Sequence, residues 1–298
     1  MGRVIVWFAF ESGFRRLGAV LRKSDAVAKL QRSHGQARIC LDRQGNGATG
    51  VRTLFQDGCL KLRLPRSPCG EGAEVVVINT AGGLTGGDKV SIDVTVGANA
   101  SATVTTPGSE RIYRSLQDDV VMEQRLTVLE GGRLDWLPQE TILFDKSRLR
   151  RRFEVELHGS AEATIAESIL FGRAAMGEAV ESGFFADFWT IRRDGGLIFA
   201  DATRIAEAFA ATVGNAATLG GRAAMATLVH VGKDLEAKRD AMRTGFAAVE
   251  AAAAGASIVG DVLVARITAP SGMLLRSAMI PALAILRYPR LLPRLWTC

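Results

Sequence analysis

The residues most able to do chemistry in this 298-residue chain lie in a few short polar stretches. The first runs Asn79-Thr80-Ala81-Gly82-Gly83-Leu84-Thr85-Gly86-Gly87-Asp88. Its two Gly-Gly pairs demand tight turns or close backbone approach. Gly82 and Gly87 have the spacing of a phosphate-cradling loop, which would make a phosphate- or nucleotide-binding enzyme of loop 82–87. That loop requires Gly-Lys-Ser/Thr after its spacer. Asp88 stands where the lysine belongs, and a carboxylate there repels phosphate. A turn between strands over 74–79 and 89–96 is the better reading.

A second stretch, Thr105 to Ser115, mixes hydroxyls with Glu110, Arg111 and Arg114. Ser109 has no neighbouring His/Asp pair to activate it as a nucleophile. Trp136 to Asp145 is strongly apolar yet holds Glu140 and Asp145. Carboxylates in apolar surroundings are costly unless paired. Lys146 and the arginines at 148, 150, 151 and 152 follow at once and offer ion pairs. Strand alternation sets Arg148, Arg150 and Arg152 on one face, as on a solvated edge strand. Leu170 to Glu178 is a small-residue loop with Arg173 and Glu178.

Metal-ligand spacing is missing. His34, His158 and His230 are far apart, and the four cysteines, Cys40, Cys59, Cys69 and Cys298, form no CxxC pair. The cysteine usage fits a reducing, cytoplasmic setting. The charge is uneven: residues 1–66 hold 13 Lys/Arg against 4 Asp/Glu. Such a basic region suits nucleic acid, anionic lipid or an acidic protein. No aromatic clustering or known module supports a nucleic-acid-binding protein. The apolar run Val4 to Phe10 is far short of the ~20 residues that span a bilayer. Residues 12–30 read as a basic amphipathic helix with Phe14, Leu17 and Leu21 on one face.

The elements that position these groups are mostly strands. Val90, Ile92, Val94 and Val96 alternate with polar residues. Leu126-Thr127-Val128 and Val155-Glu156-Leu157 begin similar units, each broken by Gly and then resumed. The units recur roughly every 30 residues, which suits stacked β-rungs or the hairpins of a β-sandwich. Later the period changes: Ile205, Phe209 and Val213 fall on one helical face. Asp234 is placed to cap a helix that runs through the Ala-rich 247–254 to a stop at Gly255. Strand-like 186–201 and 258–268 flank this helical region. Pro281 argues against one unbroken helix in the C-terminal tail.

Taken in order, these stretches resemble the UreD (UreH) family of urease accessory proteins. Arg32-Ser33-His34-Gly35, Gly58-Cys59-Leu60-Lys61, Leu64-Pro65-Arg66 and Asn79 to Asp88 are similar to its opening blocks. Thr105 to Ser115, Trp136 to Asp145 and Leu170 to Glu178 resemble its centre, and Asp201 and Leu292 to Trp296 its end. The resemblance makes residues 32–298 one UreD-like domain and leaves 1–31 as an extension outside the family's blocks.

The resemblance implies a mainly β, solenoid-like fold with a small helical part of two to four helices in the C-terminal half. It implies a non-enzymatic scaffold in a heteromeric complex with urease apoprotein, UreF and the GTPase UreG, with neither nucleic acid nor membrane as partner. Nickel would then be a transient cargo with no tightly bound cofactor. Its passage would want isolated carboxylates, for which Asp88, Glu110, Glu140, Asp145 and Glu178 are the candidates in the matching blocks. The competing expectation for each is an ion pair with Arg111, Arg114, Arg173 or the 148–152 arginines.

Overall fold

The computed structural model describes residues 31–65, 72–173, 176–206, 209–249 and 252–297. The apolar run 4–10, the helix read over 12–30, Cys69 and Cys298 lie outside the described residues.

Alternation builds the body. In β5 (Lys89–Val96) Val90, Ile92, Val94 and Val96 are buried and their neighbours are not. In β8 (Val120–Val128) and β11 (Arg148–Leu157) every second residue is again buried. These strands lie parallel, flanked by β1 (His34–Arg43) and β13 (Phe184–Arg193). Register stacks Ala37, Ile92, Gln124, Phe153 and Trp189 in one inward row. Antiparallel β2 (Thr49–Gly58) and β14 (Gly196–Ala206) end this seven-stranded sheet.

After β5, β8 and β11 the chain turns sharply and enters a second sheet. There β4 (Ala73–Asn79), β6 (Ser101–Thr105), β9 (Arg133–Leu137) and β12 (Glu162–Phe171) run parallel. β3 (Leu60–Arg63) closes one end antiparallel to β4. The turn residues stack as well: Leu129 N–H donates to Val96 O and His158 N–H to Val128 O, each at 2.9 Å. Asn99 and Gly131 hold the left-handed backbone these turns need, at φ 55° and 65°. The short β7 (Glu110–Ile112) and β10 (Thr141–Leu143) pair in parallel with each other, and β10 with the end of β12. Each coil therefore has two long sides and one short side. This is the solenoid-like alternative of the two that the sequence left open.

The second sheet continues antiparallel through β15 (Ala224–Val231), β17 (Val262–Ala269) and β16 (Ala253–Val259). A second apolar core forms where α2 (Leu235–Ala247) and α3 (Gly272–Arg287) cover these strands. α1 (Phe209–Gly214) buries Phe209 against Phe171, and α4 (Arg294–Thr297) buries Trp296, whose indole donates to Leu137 O at 2.9 Å.

Five expectations change. Ile205 belongs to β14, not to a helix with Phe209, because Phe185 pairs with it across the hairpin. Asp234 sits at the start of α2 in a left-handed conformation, φ 57°, and its side chain makes no cap bond. α2 ends at Ala247, and Ala253 and Ala254 lie in β16, where pairing along β17 outweighs helix propensity. Pro281 lies inside unbroken α3, on its exposed side, where the carbonyl it frees meets solvent. The arginine run is also reassigned: β11 is a central strand, with Arg148, Arg150 and Arg152 facing outward and Arg151 facing in.

Candidate functional site

Between the two sheets lies a chamber of about 240 Å³. Gln124 and Arg151 reach it from the first sheet, Trp136 and Glu167 from the second, and Glu110 with the 106–109 loop from the short side. Its polar groups follow from strand alternation, since Gln124 and Arg151 occupy inward positions otherwise held by apolar side chains.

At the inner wall Arg151 is fully buried. Its Nε and Nη2 donate to the two oxygens of Asp187 at 2.9 and 2.5 Å, and its Nη1 donates to Glu167. The Trp136 indole donates to Glu167 at 2.7 Å. Burial disfavours the charge on Arg151, but Asp187 and Glu167 outweigh it and hold the guanidinium above its ordinary pKa. Burial pushes the Glu167 carboxyl upward, against the pull of Arg151. A buried ion cluster of this kind is stable only while all its members are present.

On the short side Glu110 accepts from both Asn79 Nδ2 contacts, at 3.1 and 3.2 Å, and from Arg111 N–H at 3.0 Å. Burial raises its carboxyl above the usual range and these donors partly offset that. Gln124 is 4% exposed and its Oε1 has no hydrogen-bond partner among the described residues. A buried acceptor without a partner is uncommon and is satisfied most simply by something in the chamber. Besides Glu167, which is bound to Arg151 and Trp136, the chamber thus offers the Glu110 carboxylate and the Gln124 amide oxygen, ligands that suit a hydrated divalent cation.

Of the five carboxylates singled out in the sequence, Glu110 alone borders the chamber. Glu140 lies next to it: its carbonyl accepts Glu110 N–H at 2.9 Å, and its carboxylate accepts Ser109 Oγ at 3.2 Å. Arg276 of α3 stands 3.7 Å from Glu140. Asp88 is buried and accepts Ser33 N–H and Thr85 N–H at 2.7 and 2.8 Å, which ties the glycine loop to β1. Asp145 accepts Glu181 N–H and Ser182 N–H at 2.9 and 3.1 Å. Glu178 is held by two bonds from Arg173, one of the pairings expected above.

The glycine-rich loop is the turn between β4 and β5. At Gly83, φ 147°, an added Cβ would lie 2.4 Å from the Tyr113 ring, whose hydroxyl donates to Gly82 O. No group of three or more His, Cys, Asp or Glu gathers as a metal site among the described residues. His230 is buried, with Thr164 Oγ1 at 3.0 Å and Lys238 Nζ at 2.8 Å. Burial first, and Lys238 second, lower its pKa to about 3. No helix among the described residues is long and apolar enough to cross a membrane.

Sequence reading missed Glu167, Asp187 and Gln124, and named Arg151 only as one of a run of ion-pairing arginines. The signal was available for Arg151, which alternates with Leu149, Phe153 and Val155 and so must face inward. For Glu167 and Asp187 the signal was weaker, a single carboxylate within an apolar strand.

The family model described as UreD urease accessory protein matches residues 33–297. A protein named urease accessory protein UreD from Chelativorans sp. (strain BNC1) is 44% identical over 91% of this chain and 96% of its own length. Proteins of the same name from Rhizobium etli and Xanthobacter autotrophicus are 42% and 43% identical. They cover 91% and 90% of this chain, and 97% and 91% of their own lengths.

Proposed function

The chain belongs to the UreD urease accessory protein family, and from that premise we propose that it is a non-catalytic maturation factor of urease. In this reading it binds urease apoprotein in a cytoplasmic, heteromeric complex with UreF and the GTPase UreG. Within that complex it assists the insertion of nickel into the urease active site. Nickel is cargo here, held in passing and not as a resident cofactor.

The observation that carries the reading is the chamber, with Glu110 on its short side and the free Gln124 oxygen within. Ni²⁺ accepts carboxylate, amide and water oxygens. A route must release what it binds, and two oxygens hold a cation far more weakly than a full ligand set. Glu110 is the first candidate for the path and Glu140 the second, because its backbone and Ser109 connect it to Glu110. Asp88, Asp145 and Glu178 remain candidates only if the backbone or arginine bonds they make open in the complex.

The test is a reconstitution with apo-urease, Ni²⁺, bicarbonate, UreF and UreG with GTP, with and without this chain. Bound nickel and urease activity are expected to depend on the chain. Competent partners that load equally well without it would overturn the reading. Glu110→Gln is expected to lower nickel loading several-fold while the complex still assembles. Unchanged loading removes Glu110 from the path.

A further inference from the structure

The basic segment flagged in the sequence finds a place at one end of the solenoid. The described residues from Arg32 to Pro65 carry Arg32, Arg38, Arg43, Arg52, Lys61 and Arg63 against Asp42 and Asp57. They build β1, β2 and β3. β2 is the outermost strand of its sheet, ten residues long, and none of its residues is buried. Val51, Leu54 and Phe55 are 40–50% exposed, beside Leu64 at 40%.

The other sheet ends differ. β3 has only four residues, β16 is packed by α2, and β14 touches α1. Exposed edges are ordinarily short, proline-bearing or covered, because a free row of N–H and C=O groups recruits another strand. β2 touches β3 and carries Arg52 and Asp57, yet it is long, holds no proline and has no strand bonded to its outer side among the described residues. Arg52 and Arg38 are about two-thirds exposed; Arg52 donates to Asp42 at 3.2 Å, and Arg38 reaches Asp93 only at 3.7 Å. Positive charge beside an apolar, unpaired edge selects an added strand that alternates apolar and acidic side chains.

We propose that β2 is a docking edge on which an extended, acidic segment of a partner protein adds as an eighth strand to the seven-stranded sheet. Main-chain bonds supply the attachment. Val51, Leu54 and Phe55 supply apolar contact, and the arginines select charge and speed the encounter. The choice of partners to test rests on the urease-maturation reading; the edge itself does not.

Backbone hydrogen exchange of the full chain, alone and assembled with apo-urease, UreF and UreG, tests this. Those amides of Val51 to Gln56 that point away from β1 are expected to exchange at least tenfold more slowly in the complex. The exposed double substitution Arg52→Glu/Phe55→Glu leaves the core untouched. It is expected to weaken assembly at least tenfold and to flatten its salt dependence. An assembled, nickel-loading complex whose β2 amides exchange at the free rate overturns this proposal and leaves the functional reading standing. Slowing that appears in the chain alone as its concentration rises assigns the edge to a second copy and also overturns the acidic partner. Failure to join any of the three proteins overturns the functional reading and the partner assigned to β2 together.

Discussion

Replacing Arg151 by Met tests the buried cluster. The guanidinium makes three charge-assisted contacts, two to Asp187 and one to Glu167, with none of the three side chains more than 9% exposed. Removing it strands two carboxylates, and breaking a buried pair from one side costs about 3–5 kcal/mol. Arg151→Met/Glu167→Gln/Asp187→Leu removes the charges together and keeps an acceptor for the Trp136 indole. That triple variant is expected to lie within about 1–2 kcal/mol of the parent, since whole buried ion groups exchange for packed neutral ones at little cost. Urea unfolding followed by tryptophan fluorescence reads both, as Trp136 and Trp189 flank Phe153 beside the cluster. The single variant should also recover as pH falls. Burial raises the Glu167 carboxyl, and without Arg151 only the Trp136 indole opposes it, so the folded state takes up protons that the unfolded state does not. Its deficit is therefore smaller at pH 5.5 than at pH 7.5. A loss below about 1 kcal/mol for the single variant, or a triple variant no better than it, would refute this account of the cluster.

Three further outcomes are expected. Gly83→Ala places a Cβ 2.4 Å from the Tyr113 ring at φ 147°, and should cost about 1–3 kcal/mol in the same unfolding assay. Ser271→Ala removes the hydroxyl that accepts Leu274 N–H at the start of α3, for a loss of about 1 kcal/mol. His230 is neutral when folded, its pKa lowered from 6.5 to about 3. Its depressed pKa means that the unfolded chain binds the proton first, so stability is full above pH 6.5 and falls as pH drops toward 3. His230→Gln should flatten that acid limb relative to the parent, and superimposable pH profiles would count against a neutral, buried His230.

The buried Arg151 shows how a helper of the fold can resemble a functional group. It borders the chamber, yet its donors are committed to Asp187 and Glu167. A fixed positive charge on the inner wall also disfavours a second cation beside it. Any cation in the chamber is therefore better placed toward Glu110 and Gln124 than toward Glu167.

The sequence by itself determined the strands of the central coils, the turns between them and the family. Period-2 patterns such as Val90-Ile92-Val94-Val96 are local, and local sterics and burial decide them wherever the strand is placed. The same local logic located the glycine turn at 79–88 and the helical part in the C-terminal half. Tertiary structure alone decided what was non-local. Whether β11 is an edge or a central strand depends on β8 and β13, which bind it from both sides. Whether the Ala-rich segment is helix or strand depends on β17, which is next in sequence but pairs with it only in the folded sheet. The candidate carboxylates divided for the same reason. Glu110, Glu140 and Glu178 look alike along the chain, but an arginine five residues before Glu178 ties it down, while coil stacking brings Asn79 and Glu140 to Glu110 at the chamber. A carboxylate's role is set by what lies within a few ångströms of it, and in a solenoid those neighbours come from the coils above and below.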